Sequence, residues 1–223
     1  MTDHPILFST EMVRAILDSR KTQTRRVIKF PKHCYQPDLD WIQSVHQDGG
    51  GNWVAWSRND PGLSEFTQRA YPNGEGFLCP YGKPGDFLWV RETWGAVSRN
   101  EDPALLAECK IEYRADLPAG CTDYPGGWPA EDARGYDEAP KWRPSIHMPR
   151  WASRITLQIT RVRVERVQDI QPDDVEAEGF FRDVLNIERF MALWDSTYAK
   201  RGLGWDANPW VWVITFRKVS HEK

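Results

Sequence analysis

Apolar residues recur at helical spacing near the start of the chain and then give way to alternation. Intervals of three and four residues predict a short amphipathic helix over residues 10–17. Its apolar stripe consists of Met12, Val13, Ile16 and Leu17. Ser9 or Thr10 is expected to cap the helix, because a hydroxyl there can accept from a free backbone N–H. From residue 22 to residue 28 the side chains alternate, which predicts a strand.

Further strands and helices are predicted from the same two patterns. The strands are expected over residues 6–8, 53–56, 87–94, 110–114, 154–167 and 210–216. One helix is expected to begin at Gln171-Pro172 and to end before Gly179, which leaves Glu178 on its last turn. Another helix is indicated by the apolar stripe of Phe190, Leu193 and Trp194.

Two long irregular stretches, residues 31–77 and 96–145, are predicted to be insertions. They interrupt a chain in which strands are separated by helices. That order predicts an α+β fold with a small mixed barrel or a curled sheet.

A lysine and a hydroxyl stand three residues apart where the first helix turns into the strand. These are Lys21 and Thr24. A regular strand would direct them to opposite faces, so they can converge only if Lys21 still belongs to the turn. The alternative is a solvated basic corner without chemistry.

The overall composition predicts a soluble cytoplasmic protein. The chain has 40% hydrophobic and 27% charged residues, and no apolar run is long enough to span a membrane. Its first residues lack the pattern of a secretory signal. The four cysteines are scattered, so reduced thiols are expected and neither a metal nor a cofactor is predicted. A composite zinc site that includes His33 is the alternative.

Charge is distributed unevenly along a chain whose net charge is −3. Residues 19–32 hold six bases and no acid, and residues 141–166 hold seven bases and the single acid Glu165. These two blocks could form one positive rim, which is typical of contact with nucleic acid. If that rim touches phosphates, affinity for single-stranded RNA should fall as salt is added.

Four motifs together resemble the ASCH domain, in the long form found in bacteriophages and prophages. They are Ser-Arg-Lys-Thr-Gln-Thr-Arg-Arg, Lys-Pro-Gly-Asp before Leu-Trp-Val-Arg-Glu, Asp-Ile-Gln-Pro-Asp-Asp-Val-Glu-Ala-Glu-Gly, and Trp-Val-Trp-Val-Ile-Thr-Phe. The resemblance covers about residues 5–30, 78–95 and 150–218. It implies a single domain over residues 1–223 with a PUA-like mixed β-barrel, flanking helices and the two insertions. PUA-like proteins commonly handle RNA or modified bases.

Some small ASCH proteins hydrolyse the amide of 4-acetylcytidine with a lysine, a threonine and a glutamate. The resemblance places these catalytic residues at Lys21, Thr24 and Glu178. Substrate-binding residues are expected around them and in the second of the four motifs: Arg20, Arg25, Arg26, Trp89, Arg91 and Glu92. The implied ligand is a modified nucleoside or single-stranded RNA.

The residues themselves leave the assignment of the catalytic base open. Lys21 could deprotonate Thr24 if burial and neighbouring arginines lower its pKa. A close Glu178 would instead keep Lys21 protonated, and Glu178 would then be the better base.

Several alternatives remain at this stage. The chain could be a reader that binds RNA or modified nucleotides without catalysis, or a phage accessory protein that binds another protein through its insertions. Arg91 and Glu92 could form an internal ion pair instead of lining a cleft. Four tryptophans near the basic blocks are candidates for stacking on a base: Trp89, Trp94, Trp142 and Trp151.

Overall fold

The computed structural model describes nine segments of the chain: residues 1–29, 42–47, 53–57, 68–69, 78–97, 109–118, 120–127, 141–181 and 186–219. Of residues 42–46, 53–57 and 68–69 only the backbone is described. Most of the two predicted insertions, together with His33 and Cys34, lies outside these segments.

The described residues form ten strands and three α-helices. The strands are β1 (Asp3–Leu7), β2 (Gln23–Val27), β3 (Ile42–Gln47), β4 (Trp53–Ser57), β5 (Gln68–Arg69), β6 (Phe87–Arg91), β7 (Trp94–Ala96), β8 (Ile111–Tyr113), β9 (Thr156–Arg166) and β10 (Trp210–Lys218). The helices are α1 (Thr10–Leu17), α2 (Pro172–Ala177) and α3 (Asn186–Tyr198). Every strand and helix predicted from the sequence has a counterpart here, although β1 begins earlier and the predicted strand 87–94 ends at Arg91.

Five strands form a mixed sheet in the order β1-β6-β9-β10-β2. β1 is parallel to β6, whereas β6–β9 and β10–β2 are antiparallel. The α+β class is therefore confirmed, and the closing strand lies in the same sheet as β2 and β6, as predicted. Two smaller sheets have the orders β3-β4-β5 and β7-β8.

The closed barrel that was expected is not formed by the described strands. β1 and β2 are the two edges of an open sheet. Alternation in a sequence shows which faces a strand presents, but closure also requires a matched tilt and stagger between the first and last strands. Alternation alone therefore does not distinguish a barrel from an open sheet.

The chain divides into two compact units. Unit one comprises residues 1–21, 85–158 and 217–223, and unit two comprises residues 22–84 and 159–216. β9 and β10 each contribute residues to both units. The organisation as a single domain stays a prediction.

In unit one, strands and a short helix enclose an aliphatic core. Ile6, Leu88, Val90 and Leu157 are at most 1% exposed, and α1 adds Val13 and Ile16. The predicted cap is confirmed, since the Ser9 hydroxyl accepts from the Met12 N–H at 3.4 Å. A second cluster joins Trp94, Ala96, Met148 and Ala152.

In unit two, α2 and α3 cover a core that includes residues of β10. Its buried members are Val167, Ile170, Val175, Phe190, Trp194, Val211 and Val213. α2 begins with Pro172 at its first turn, and Asp174 forms a capping box with Gln171. Gly179 has a φ of 103°, a conformation that favours glycine, and it follows Glu178, the C-cap of the helix. No helix in the described segments is long and apolar enough to cross a membrane.

Candidate functional site

Lys21 is buried at the end of the corner that follows α1. Ser19 takes a φ of 61°, and the N–H groups of Arg20 and Lys21 both donate to Ala15 O, at 2.8 and 2.9 Å. Lys21 therefore still belongs to the turn, as its convergence with Thr24 requires. Its side chain lies within unit one, with Nζ 5.6 Å from the centre of the Phe8 ring.

The alternative of a solvated basic corner is wrong for Lys21, which is only 2% exposed. Arg20 beside it is more accessible. Its side chain is 29% exposed and pairs with Asp18 at 2.9 Å. The corner thus combines a buried ammonium group with a surface ion pair.

Thr24 lies in β2 of unit two, opposite Ile214 in the antiparallel register, and is 2% exposed. Gln23 and Arg25, which point to the other side of the strand, are each 3% exposed. Both faces of this half of β2 are therefore covered. An edge strand with polar residues buried on both faces is unusual, because buried polar groups require partners.

Glu178 is 6% exposed and caps the C-terminal end of α2. Its N–H donates to Asp174 O at 2.9 Å, and its carboxylate accepts from Arg25 Nη1 at 3.4 Å. The Thr22 N–H donates to Ala177 O at 2.8 Å. The start of β2 is thereby attached to the end of α2, within unit two.

Arg25, whose side chain is buried, is the centre of a group of charges that we call the carboxylate network. The members, all in unit two, are Arg25, Arg163, Glu165, Asp174 and Glu178. Arg25 Nη2 donates to Glu165 at 2.5 Å and to Asp174 at 3.0 Å. Arg163 donates to the same two carboxylates, at 2.9 and 2.7 Å. Since the Arg25 side chain is 1% exposed, it does not lie on an exposed rim.

The network changes the acidity of Asp174. Partial burial raises the pKa of this carboxyl, but the Arg163 hydrogen bond and the Arg25 charge outweigh burial. The resulting pKa lies below the ordinary value of an aspartic acid. Asp174 is therefore held ionised between two guanidinium groups.

Two donors beside the network have no hydrogen-bond partner among the described residues. Gln23 Oε1 accepts from Arg163 at 3.0 Å, which fixes the orientation of the amide, and its Nε2 is buried without a partner. Arg25 Nε is likewise buried without a hydrogen-bond partner among the described residues. Since both side chains project from one face of β2, a buried hydrogen-bond acceptor would be stabilised there.

Arg91 and Glu92 follow each other in unit one but do not pair with each other. Arg91 donates to Ser145 O at 3.1 Å and to Ile146 O, and its guanidinium lies 5.5 Å from the centre of the Trp89 ring. The alternative of an Arg91–Glu92 ion pair is therefore wrong. Arg91 instead fixes a loop whose residues lie far along the chain.

Glu92 is 1% exposed and accepts from Arg154 with both oxygens, at 3.0 and 3.1 Å. Burial raises the pKa of the Glu92 carboxyl, and the Arg154 hydrogen bonds oppose that rise. Arg154 also contacts Asp116 at 2.8 Å and lies over the Tyr113 ring at 3.9 Å. This geometry is that of a structural ion pair in the interior of unit one.

The predicted site residues are thus divided between the two units. Thr24, Arg25 and Glu178 lie in unit two with Arg26, which is half-buried. Unit one contains the remaining predicted residues: Arg20, Lys21, Trp89, Arg91 and Glu92. The convergence of Lys21 with Thr24 and Glu178 stays a prediction.

Sequence reasoning missed Arg163, Glu165 and Asp174 as partners of Arg25. One signal pointed to the first two, since Arg163 and Glu165 are two positions apart in β9 and are therefore expected on one face of the strand. The pairing of Asp174 with Arg25 was not foreseen, because acids in the first turn of a helix are ordinarily explained by the helix dipole.

Comparisons with protein-family models, curated proteins and solved structures gave no match to this chain. The ASCH resemblance and the cytoplasmic location therefore stay predictions. Within the described segments, no group of three or more His, Cys, Asp or Glu side chains could hold a metal ion.

Proposed function

We propose that this chain is a hydrolase that cleaves the exocyclic amide of 4-acylated cytidines, on a PUA-like variant of the ASCH fold. Lys21, Thr24 and Glu178 are its catalytic residues. The observation that carries the proposal is their burial, at 2%, 2% and 6% exposed. Lysine and glutamate are rarely buried this deeply without a structural or chemical reason.

The local connections of these residues support the proposal. Within unit two, the Thr22 N–H is bonded to Ala177, the residue before Glu178, which fixes the start of the strand that carries Thr24. Arg25 holds the Glu178 carboxylate in place at 3.4 Å. A reactive group that is fixed by a charged partner loses little entropy when the substrate binds.

The reaction consumes one water and releases a carboxylic acid and cytidine. The Thr24 hydroxyl attacks the acyl carbon, and the bond from that carbon to N4 of cytosine breaks. The hydroxyl proton passes through Lys21 or Glu178 to the departing amine. Water then cleaves the ester on Thr24, which restores the hydroxyl.

The test is release of cytidine from a panel of 4-acylated cytidines, followed by the change in ultraviolet absorbance. Lys21→Ala, Thr24→Val and Glu178→Ala should each remove most activity, and double variants should lose little more, because the three act as a unit. Thr24→Ser should retain part of the rate. Thr160→Val, which alters an exposed threonine of β9, is the matched control and should be fully active.

The pH dependence of kcat/KM assigns the base. If Glu178 is the base, Glu178→Gln removes the acidic limb of the profile and Lys21→Met leaves it in place; if Lys21 is the base, the pattern is reversed. Full activity of Thr24→Val would refute the nucleophile assignment.

A reader that binds the nucleoside without cleaving it is the second candidate. The two buried donors without described partners, Gln23 Nε2 and Arg25 Nε, favour it, since a pyrimidine carbonyl is a suitable acceptor. Binding of 4-acetylcytidine without turnover by folded protein would establish this function instead. A protein-binding role of the insertions concerns residues mostly outside the described segments and stays a prediction.

A further inference from the structure

We propose that unit one docks an acidic segment of a partner protein on the outer face of its β1–β6 strand pair. This outer face consists of Leu7, Trp89 and Arg91 from the two strands and of Ile146, Arg150 and Trp151 from the segment that contacts them. All six residues belong to unit one. Such docking is a function separate from the proposed hydrolysis.

Alternation directs the strand residues of the outer face away from the core. Leu88 and Val90 are at most 1% exposed and belong to the core of unit one. Trp89 and Arg91 alternate with them and therefore point to the opposite side. Leu7 is paired with Arg91 in the parallel register and shares its face. Parallel strands ordinarily have both faces covered, yet Leu7 is 40% exposed, so an apolar side chain remains accessible there.

The adjoining segment adds two large apolar side chains to this face. Ile146 is 55% exposed and Trp151 is 49% exposed. Arg91 fixes the segment, because its guanidinium donates to Ser145 O at 3.1 Å and to Ile146 O. A fixed segment loses little conformational entropy on binding. Exposed apolar side chains that are held together in this way are typical of an interaction site.

The cations of the outer face suit carboxylates. The Trp89 ring has Arg91 at 5.5 Å and Arg150 at 5.8 Å from its centre. Asp3 of β1 lies 3.1 Å from Arg150, and the two side chains are 49% and 47% exposed. Asp3 thus shows how a carboxylate meets this face. Because such an exposed ion pair is weak, an acid of a partner can take its place.

The composition of the outer face favours a peptide over a nucleic acid. It contains two arginines and two tryptophans but no lysine, which is the bias of protein interfaces. Leu7 and Ile146 are aliphatic and offer no stacking platform to a base. Binding to a phosphate backbone depends on many cations, whereas the chain has a net charge of −3. We therefore expect a partner segment in which acids alternate with apolar residues.

The test is fluorescence anisotropy of labelled peptides with the full chain. The probes are twelve-residue peptides in which Asp or Glu alternates with Leu, Ile or Phe. Binding is expected to weaken as salt is added, and peptides with Lys in place of the acids should not bind. Trp151→Ala should weaken binding about tenfold, whereas Trp151→Phe keeps a ring and should retain most of the affinity.

Asp3→Asn removes the carboxylate that competes for Arg150. This variant should strengthen peptide binding about two- to fivefold, the range expected for an exposed ion pair. The gain should vanish when Arg150→Ala is added, because the shared cation is then absent. An unchanged or weaker affinity of Asp3→Asn would overturn the proposal.

Matched controls lie in unit two. Phe181→Ala removes an aromatic side chain that is 66% exposed, and Arg161→Ala removes an exposed arginine of β9. Both should bind the peptides like the original chain. Equal losses in these controls, or no peptide binding at low salt, would refute the docking surface.

Other occupants of the outer face give different results. Single-stranded RNA that binds more tightly than every peptide and is equally sensitive to Trp151→Ala would assign the face to nucleic acid. A dimer in sedimentation that Trp151→Ala dissociates would assign it to a second copy of the chain. Either result would overturn the proposal. Peptide binding is measured without turnover, so its failure is distinguished from a failure of the proposed hydrolysis.

Discussion

Replacing Arg25 by methionine keeps a long side chain in β2 and removes the guanidinium from the carboxylate network. The Arg25 side chain is 1% exposed and contacts three carboxylates, so solvent screens these interactions little. Removing one partner of a buried ion pair destabilises a protein by about 3–5 kcal/mol, because an uncompensated charge remains. Arg163 still bonds to Glu165 and Asp174. We therefore expect the lower end, a loss of about 3 kcal/mol in the free energy of unfolding.

Urea unfolding followed by tryptophan fluorescence measures this loss, since Trp194 and Trp212 are buried in unit two. Arg161→Met is the matched control, because Arg161 is an exposed arginine of β9. The control should change the free energy of unfolding by no more than about 0.5 kcal/mol.

A double variant tests whether the loss comes from the charge left on Glu178. Arg25→Met combined with Glu178→Gln should recover part of the stability lost in Arg25→Met alone, because the double variant leaves no ionised group at position 178. A loss below about 1 kcal/mol for Arg25→Met at an unchanged m-value would refute the reasoning. It would mean that the carboxylates are stabilised without Arg25.

Three further results are expected. The pKa of Asp174 is depressed in the folded protein, so its contribution to stability is present above the ordinary aspartate pKa and is lost as pH falls through the depressed value. Asp174→Asn should therefore flatten the decline in melting temperature in that acidic range, and an unchanged decline would contradict this. Gly95→Ala should destabilise by about 1–3 kcal/mol, since the added Cβ would lie 2.3 Å from Pro125 Cγ; an unchanged urea midpoint would show that the proline moves aside freely. Ser9→Ala should cost about 0.5–1 kcal/mol in the same assay, through loss of the cap of α1, and Ser9→Asp should not.

Much of the fold could be predicted because its signals are local. The α1 stripe, the Ser9 cap, the alternation in β9 and the Gly179 stop each depend on residues within a few positions of one another. Composition alone could not assign Lys21 to the interior, because its burial results from the turn at Ser19 and from the packing of distant elements.

The partners of the buried charges could not be predicted, because they are chosen by tertiary structure. Glu92 stands beside Arg91 in the sequence but accepts from Arg154, and Arg25 lies among basic residues but bonds to acids of β9 and α2. A count of charges in these segments suggested an exposed rim. Of the two arginines in β2, Arg25 is instead buried and paired with carboxylates.

The position of β10 has a consequence for the order of assembly. β10 lies between β9 and β2, and its Val211 is opposite Val27 of β2. During synthesis β2 leaves the ribosome early, yet its hydrogen-bonding partner is the last strand of the described sheet to emerge. Until then β2 has no neighbouring strand in the described sheet, so folding that depends on such a distant pairing should be slow.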